Sequence, residues 1–200
     1  MKVQGIAGSP RRGGNTDLLL AEFLKGAVNK GAEVKSISLN SLKMTPCQHC
    51  DACFKEGKCR IQDDMQKIYD ELEQSDIIVL ASPVQFLGPT ATLKAMIDRC
   101  QCLWARKYIL KIPPLNPERK RKVFFISVSG TRIKCMFEPS ITIVKAWCHV
   151  LNIEYAGDLL IQGIDEKGAI LGHPDALQKA YESGQNFVGA GLKPDPTKSG

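Results

Sequence analysis

The run Ile77-Ile78-Val79-Leu80-Ala81 decides the fold of this chain. It is apolar throughout, and it stands between the polar residues Asp76 and Ser82. A strand with one face in water alternates apolar and polar residues, whereas a central parallel strand is covered on both faces and stays apolar. We therefore predict the central strand of a parallel sheet here.

On both sides of this strand, short apolar strands alternate with amphipathic helices. Strands are predicted over 2–7, 33–38, 77–81, 123–128 and 155–161, and helices over 15–29, 65–74, 90–99, 140–151 and 174–187. An acidic pair, Asp63-Asp64, is placed to cap the helix that begins at Met65. The alternation indicates an α/β fold, a doubly wound three-layer sandwich with a five-stranded parallel sheet.

The chain organisation follows from its length of 200 residues, which suits one domain with a sizeable core. We predict a single domain over 1–188, with a cysteine loop, 45–60, inserted after the second strand. The segment 189–200 is rich in Gly, Pro and Lys, and we expect it to be a loosely ordered tail. No internal repeat or interdomain linker is recognisable.

Composition restricts the location and the partners. No apolar run approaches the roughly 20 residues that cross a bilayer. Eight cysteines without a recognisable signal peptide favour a reducing cytoplasm. A net charge of +6 is modest, and we expect neither nucleic acid nor membrane as a partner. The basic run 119–122 predicts a solvated loop or, alternatively, a docking patch for an acidic redox partner.

The loop after the first strand reads Gly8-Ser9-Pro10-Arg11-Arg12-Gly13-Gly14-Asn15-Thr16. It joins a strand to a helix, where backbone N–H groups and the helix dipole favour an anion. It lacks the Lys-Ser/Thr ending of a phosphate-binding P-loop and the Gly-x-Gly-x-x-Gly fingerprint of dinucleotide sites. A loop so rich in hydroxyl groups suits a terminal monophosphate, and an ordinary polar turn is the alternative.

The loop after the third strand reads Ser82-Pro83-Val84-Gln85-Phe86-Leu87-Gly88-Pro89. Its prolines and glycine can lay backbone amides along a planar heterocycle, as the ring of a flavin requires. Carboxyl ends of parallel strands meet at one edge of a sheet, so this loop is expected beside the anion loop. Together the two loops favour a flavin over a simple proline-stiffened turn.

Cys47, Cys50, Cys53 and Cys59 have the spacing Cys-x2-Cys-x2-Cys-x5-Cys. Thiols this close in sequence suit a cubane iron–sulfur cluster. Zinc is an alternative, although zinc motifs more often come as two separated Cys-x-x-Cys pairs, and reduced thiols that bind nothing are another. Cys100, Cys102, Cys135 and Cys148 are predicted to be core or interface thiols.

Five motifs in order resemble the NADPH-dependent FMN reductase superfamily, and the cysteine spacing is similar to that of its iron–sulfur flavoproteins. They are the Gly8–Thr16 run, the cysteine run, Asp63-Asp64-Met65, Ser82-Pro83-Val84, and Leu93-Lys94-Ala95-x-Ile97-Asp98-Arg99. The resemblance implies a flavodoxin-like fold, bound FMN, a [4Fe–4S] cluster on Cys47, Cys50, Cys53 and Cys59, and a homodimer or homotetramer.

The resemblance also implies which residues contact FMN. The phosphate and ribityl end would be held by Ser9, Arg11, Asn15, Thr16 and Asp17. The ring would be framed by Pro83, Val84, Gln85, Phe86 and Gly88, with Ser129, Gly130 and Thr131 along its other edge. The chain departs from its relatives at Gln85, where they usually carry an aromatic residue, and in a Pro-rich insertion at 112–121.

The function expected from this resemblance is that of a redox flavoprotein. Electrons would come from NAD(P)H or a ferredoxin-like donor and pass to a small-molecule acceptor. Alternatives are an NAD(P)H-dependent FMN or quinone reductase without a cluster, an electron-transfer protein without a dedicated substrate, and a cofactor-free binding module with zinc in its loop.

Overall fold

The computed structural model describes residues 1–189. The strands are β1 (Lys2–Ala7), β2 (Glu33–Ser38), β3 (Ile77–Gln85), β4 (Gly88–Pro89), β5 (Lys122–Ser129) and β6 (Glu154–Gln162). The helices are α1 (Asn15–Asn29), α2 (Cys53–Glu56), α3 (Met65–Gln74), α4 (Ala91–Arg99), α5 (Gln101–Tyr108), α6 (Glu138–Leu151) and α7 (Pro174–Gly189). The predicted tail lies outside the described residues apart from Gly189.

The main sheet has five parallel strands in the order β2-β1-β3-β5-β6. Every residue of the run 77–81 is buried, because β1 and β5 flank it and helices cover both faces. The order reverses direction beside β1, as in doubly wound folds. This architecture confirms the predicted flavodoxin-like three-layer sandwich.

Two hydrophobic cores lie on the two faces of the sheet. On one face, Phe23 of α1, Phe124 of β5 and Phe187 of α7 pack together, with ring centroids 4.9 to 5.9 Å apart. On the other face, α3, α4, α5 and α6 bury a larger set that includes Ile68 and Trp147. Burial of apolar surface on both faces stabilises the sandwich.

The sequence pattern missed two helices, α2 and α5. The four residues of α2 are too few to show a helical period, and Gly57 ends the helix at a left-handed φ of 67°. Only Cys100 separates α5 from α4. The sequence therefore does not mark where α4 ends and a second helix begins. α2 lies within the cysteine loop 45–60 and α5 packs against α2, so the loop and its surroundings are more regular than predicted.

The basic run 119–122 is a solvated loop only in part, because Lys120 is exposed whereas Arg121 is buried. Arg121 is 5% exposed, and its guanidinium donates to the carbonyls of Leu72, Glu73, Asn116 and Arg119. Arg119 donates to the Asp76 carboxylate at 2.7 Å. These two arginines fasten the Pro-rich insertion to the end of α3.

Candidate functional site

A cavity of about 170 Å³ opens at the carboxyl edge of the sheet, where β1, β3, β5 and β6 end. It brings together many of the predicted FMN contacts: Ser9, Arg11, Asn15, Thr16, Pro83, Val84, Gln85 and Gly130. Its other lining residues are Pro10, Gly14, Val128, Ile164, Asp165 and Lys167. The cavity therefore lies at the edge where open α/β sheets bind ligands.

The loop after β1 leaves the first turn of α1 available to a ligand. Gly14 precedes the helix in extended conformation, and no side chain caps it. Thr16 is 1% exposed and lines the cavity, yet its hydroxyl has no hydrogen-bond partner within the described part of the chain. Free N–H groups at a helix N-terminus beside an unpartnered hydroxyl fit a phosphate group.

The charges around this end of the cavity favour an anion. Arg11 and Lys167 contribute two cations to the lining, and Asp165 contributes one carboxylate. The Arg11 guanidinium donates to the Asp165 backbone carbonyl at 3.0 Å, which holds the cation in place. A positioned guanidinium is a strong donor to phosphate oxygens.

Asn15 joins the first loop to the segment after β6. Its side-chain amide donates to the Glu166 carbonyl at 2.9 Å, and its side-chain oxygen accepts the Ile170 N–H at 3.2 Å. Although Asn15 lines the cavity, both ends of its amide are thus used within the protein. The geometry gives it a structural role at the cavity wall.

Ser9 and Asp17 shape the loop from within. The Ser9 hydroxyl accepts the Arg11 N–H at 3.1 Å. Asp17 does not line the cavity, and its carboxylate accepts the Gly13 N–H at 2.9 Å. Burial raises the pKa of Asp17, against the lowering effect of the Gly13 and Gly14 N–H groups. Asp17 is therefore placed to support the loop backbone.

The loop after the third strand is a hairpin in the structure. β3 continues to Gln85, and β4 pairs with it through Val84↔Pro89 and Gln85↔Gly88. Phe86 and Leu87 form the turn with φ of 48° and 65°, a conformation that two-residue hairpin turns require. Phe86 is fully exposed, and neither it nor Gly88 lines the cavity.

The loop after β5 brings Gly130 against the opposite wall. The Ser129 hydroxyl accepts the Thr131 N–H at 3.2 Å, and this small turn presents Gly130 to the cavity. A Cβ on Gly130 would lie 2.8 Å from Cβ of Asp165, so only glycine allows the two loops to approach. Ser129 and Thr131 themselves do not line the cavity.

Sequence reasoning missed the loop after β6, which contributes Ile164, Asp165 and Lys167. A usable signal existed, since the fifth predicted strand must end at the same edge as the other four. The segment was overlooked because it carries no recognisable motif.

Buried hydrogen bonds connect the loops behind the cavity. The Thr90 hydroxyl donates to the Gly8 carbonyl at 2.6 Å, and the Thr90 N–H donates to the Ser82 hydroxyl at 3.1 Å. The Ser127 hydroxyl donates to the Ser82 carbonyl at 2.8 Å. The ends of β1, β3 and β5 are thereby joined to each other and to the start of α4.

A second, smaller cavity of about 20 Å³ is lined by Cys47, Cys50, Cys53 and Cys59. Left-handed backbone at His49 and Asp51 turns the chain between the first three cysteines. Within residues 1–189, no group of three or more His, Cys, Asp or Glu side chains is arranged to hold a single metal ion. The four soft thiols share one space, a donor set that suits iron–sulfur or zinc chemistry.

Burial, with smaller contributions from Cys102, Cys47 and Cys59, raises the pKa of the Cys53 thiol to about 11. Cys53 is thus protonated near neutral pH when the loop holds nothing. Because thiolates are the ligands of metals, loading this cavity has to release protons.

The two cavities are built independently, since they have no lining residue in common. The first is made by strand-end loops. The second lies against the junction of α4 and α5, where Arg99, Gln101 and Cys102 complete its wall. The carboxyl-edge cavity and the cysteine cavity are therefore separate features of the fold.

The remaining cysteines differ in their surroundings. Cys100, Cys102 and Cys148 are buried in the core, in agreement with the sequence prediction. Cys135 is exposed, in a left-handed position of the loop after β5, so it is not a core thiol.

Across residues 1–189, the structure contains no helix with the length and apolar character that crossing a membrane requires.

Comparison with known proteins agrees with this geometry. The family model described as NADPH-dependent FMN reductase matches residues 1–137. An iron–sulfur flavoprotein of Archaeoglobus fulgidus is 44% identical over 106 residues, which cover 53% of this chain and 54% of that protein. The chain thus spans about half the length of this relative. An iron–sulfur flavoprotein of Methanosarcina thermophila is 32% identical over 158 residues, which cover 79% of this chain and 78% of that protein.

A solved structure gives the same fold. The NAD(P)H:quinone oxidoreductase from Methanothermobacter marburgensis superimposes with a TM-score of 0.69 at 16% sequence identity, covering 94% of this chain and 96% of that one. At this identity the likeness concerns the fold alone. The assignment to a family rests instead on the matching family model and on the relative from Methanosarcina thermophila. This chain belongs to the iron–sulfur flavoprotein family, within the superfamily of NADPH-dependent FMN reductases.

Proposed function

We propose that this protein is an NAD(P)H-dependent oxidoreductase that binds FMN in the carboxyl-edge cavity and a [4Fe–4S] cluster on Cys47, Cys50, Cys53 and Cys59. The observation that carries the proposal is the pairing of two independent cavities in one domain. One combines a free helix N-terminus, an unpartnered Thr16 hydroxyl and two cations. The other collects four thiols.

Different residues of the protein would hold the phosphate and the ring of FMN. Thr16, Arg11 and the first turn of α1 would hold its phosphate, and Pro83, Val84 and Gln85 would lie along the ring. Bound FMN takes up electrons singly or in pairs and a bound cluster transfers them one at a time, so the pair would connect two-electron donors with one-electron acceptors. Gly130 would keep the facing wall close enough to exclude water from the ring edge.

NAD(P)H or a ferredoxin-like protein would supply the electrons, and a small acceptor such as a quinone would receive them. The family description and the name of the Methanothermobacter structure support a reduced nicotinamide donor. Turnover of NADPH with a quinone would distinguish an enzyme from a carrier that serves only protein partners.

A homodimer or homotetramer in the cytoplasm completes the proposal. Phe86 and Leu87, two adjacent exposed apolar side chains in the hairpin turn, support a contact with a second subunit. Light scattering on the purified protein measures the assembly directly. A monomer would contradict this part and leave the cofactor assignment standing.

The first test is anaerobic purification followed by measurement of flavin, iron and zinc per chain together with the visible absorbance. We expect flavin bands on a broad thiolate–iron shoulder, with about four irons per chain. Flavin without iron would replace the proposal with a cluster-free FMN reductase. Zinc without flavin would overturn the redox function.

A further inference from the structure

Among the charged residues that the structure describes, Arg99 is the least exposed. It forms part of the wall of the cysteine cavity. The whole residue is 1% exposed and its side chain 0%. A buried guanidinium is costly unless its donors are used, so its partners reveal its role. They lie on both sides of the cysteine loop.

The Arg99 guanidinium binds the two ends of this loop at once. Its Nη1 donates to the Thr45 carbonyl and to Oδ2 of Asp63, both at 2.7 Å. Its Nη2 donates to the Ile61 carbonyl and to Oδ1 of Asp63, both at 3.1 Å. Thr45 precedes the first cysteine and Ile61 follows the last, so one side chain closes the loop.

Asp63 completes the closure from the other side. Its Oδ2 accepts the Thr45 N–H at 2.9 Å, and its Oδ1 accepts the Met65 N–H at 3.0 Å. Of the acidic pair predicted to cap α3, only Asp63 thus bonds the helix start, since Asp64 makes no side-chain cap bond. The N–H and the carbonyl of Thr45 are therefore both held by the ion pair. Burial opposes both charges, but the bidentate contact raises the pKa of Arg99 and lowers that of Asp63.

Arg99 also has an unused donor. Its Nε–H is buried and has no hydrogen-bond partner within residues 1–189. Arg99 lines the same cavity as the four thiols, whereas Asp63 does not. The cationic half of the ion pair is therefore the half that lines the sulfur cavity, and it keeps one unused donor.

We propose that Arg99 is a positioning residue that holds the cysteine loop closed and makes the group bound there easier to reduce. The proposal rests on the proposed cluster. One-electron reduction adds a negative charge to that group, and a fixed cation or an N–H donor toward its sulfurs favours the reduced form. Asp63 and the Thr45 and Ile61 carbonyls fix where the cation stands.

Arg121 provides a matched control. It is a second buried arginine, and its donors go to two backbone carbonyls of α3, Leu72 and Glu73, and to two of the Pro-rich insertion, Asn116 and Arg119. It lines neither cavity. Replacing Arg121 by Lys should lower stability in the same way as Arg99→Lys, without an effect on the bound group.

The experiment compares Arg99→Lys, the double variant Arg99→Met/Asp63→Asn and Arg121→Lys with the wild type. The double variant guards against misfolding, because it removes both buried charges together. Potentials are measured by redox titration with electron paramagnetic resonance, and iron loss by chelator challenge. We expect a more negative potential in the double variant and roughly tenfold faster iron loss in both Arg99 variants. Arg121→Lys should match the wild type in both.

Two results decide the inference. Unchanged potential and iron retention in the Arg99 variants, with iron present in the wild type, would overturn it. If the wild type binds no iron, the proposed function fails, and hydrogen exchange of residues 45–61 in the apoprotein then decides the positioning role. Loop amides that exchange no faster in Arg99→Lys than in Arg121→Lys would overturn that role as well.

Discussion

Gly26 of α1 and Gly184 of α7 stand at a helix crossing where the backbones touch. A Cβ on Gly26 would overlap the Tyr181 carbonyl, and a Cβ on Gly184 would overlap the Phe23 carbonyl. Glycine is unfavourable inside a helix by about 1 kcal/mol relative to alanine, so its presence here reflects the close packing. The crossing lies over the core that contains Phe23 and Phe187.

Gly184→Ala should therefore destabilise the protein although alanine is the better helix former. The new methyl group meets rigid backbone, so we expect a loss of about 1–3 kcal/mol or more in the free energy of unfolding. Urea denaturation measures this loss. Gly172→Ala is the control, because no atom lies within 4 Å of its added Cβ. Equal stability of the two variants would refute the close crossing.

Thr16→Val should weaken FMN binding. The substitution keeps the shape of the side chain and removes the hydroxyl, which has no partner among residues 1–189. A hydrogen bond to a charged phosphate contributes about 1.5–3 kcal/mol, which corresponds to a tenfold or greater rise in Kd. Titration of the apoprotein by quenching of flavin fluorescence gives the Kd. Thr142→Val is the control, since its hydroxyl bonds within α6.

Cys53→Ala should abolish the iron content and leave FMN bound. Cys53 lines only the cysteine cavity, which shares no residue with the flavin cavity. Iron and flavin analysis of the anaerobically purified variant checks this. Cys135→Ala, at an exposed position, should retain both. Loss of FMN together with iron would show that the two sites depend on each other.

The Asp63–Arg99 pair should make the apoprotein sensitive to acid. The pKa of Asp63 is lowered from its ordinary 3.8, so the folded state binds fewer protons than the unfolded state as pH falls through this range. The stabilisation is complete above about 3.8 and lost as pH falls through the lower, folded value. Urea denaturation from about pH 6 to about pH 3 should give a shallower pH dependence for Asp63→Asn. Identical slopes would contradict the shift.

Thiol labelling should separate the cysteines by burial. Burial raises the pKa of Cys148 to about 12, and raises that of Cys100 to about 12 against a smaller lowering by Trp147. Both stay protonated and unreactive at about pH 8, because the thiolate is the nucleophile. Iodoacetamide followed by mass spectrometry should modify the exposed Cys50 and Cys135 before Cys100 and Cys148. Early modification of Cys148 would show that α6 opens.

The sequence predicted the architecture because its strands and helices have clear periods. The run 77–81 and the helical stripe through Leu19 and Phe23 each match one period, and both lie where predicted. The anion loop was placed at the correct edge because strand order alone brings it there. The local sequence pattern was sufficient to predict each strand or helix whose type and burial follow from its own residues.

Contacts between distant segments could not be predicted in this way. Arg121 belongs to a basic run in the sequence, and only the fold reveals the carbonyls of α3 around it. Arg99 appeared only as part of a motif, although it joins residues 38 and 54 positions away. Phe86 was expected against the ring, and the hairpin turns it outward. Such roles depend on tertiary packing.

Thr90 holds the Gly8 carbonyl with its hydroxyl and the Ser82 hydroxyl with its N–H, in a region closed to solvent. The ends of β1 and β3 behind the carboxyl-edge cavity are therefore joined to α4 before any ligand arrives. A ligand that enters does not have to order these strand ends, so little conformational entropy is lost on binding and more of the contact energy appears as affinity. These strand ends should thus hold nearly the same positions in the empty and in the filled protein.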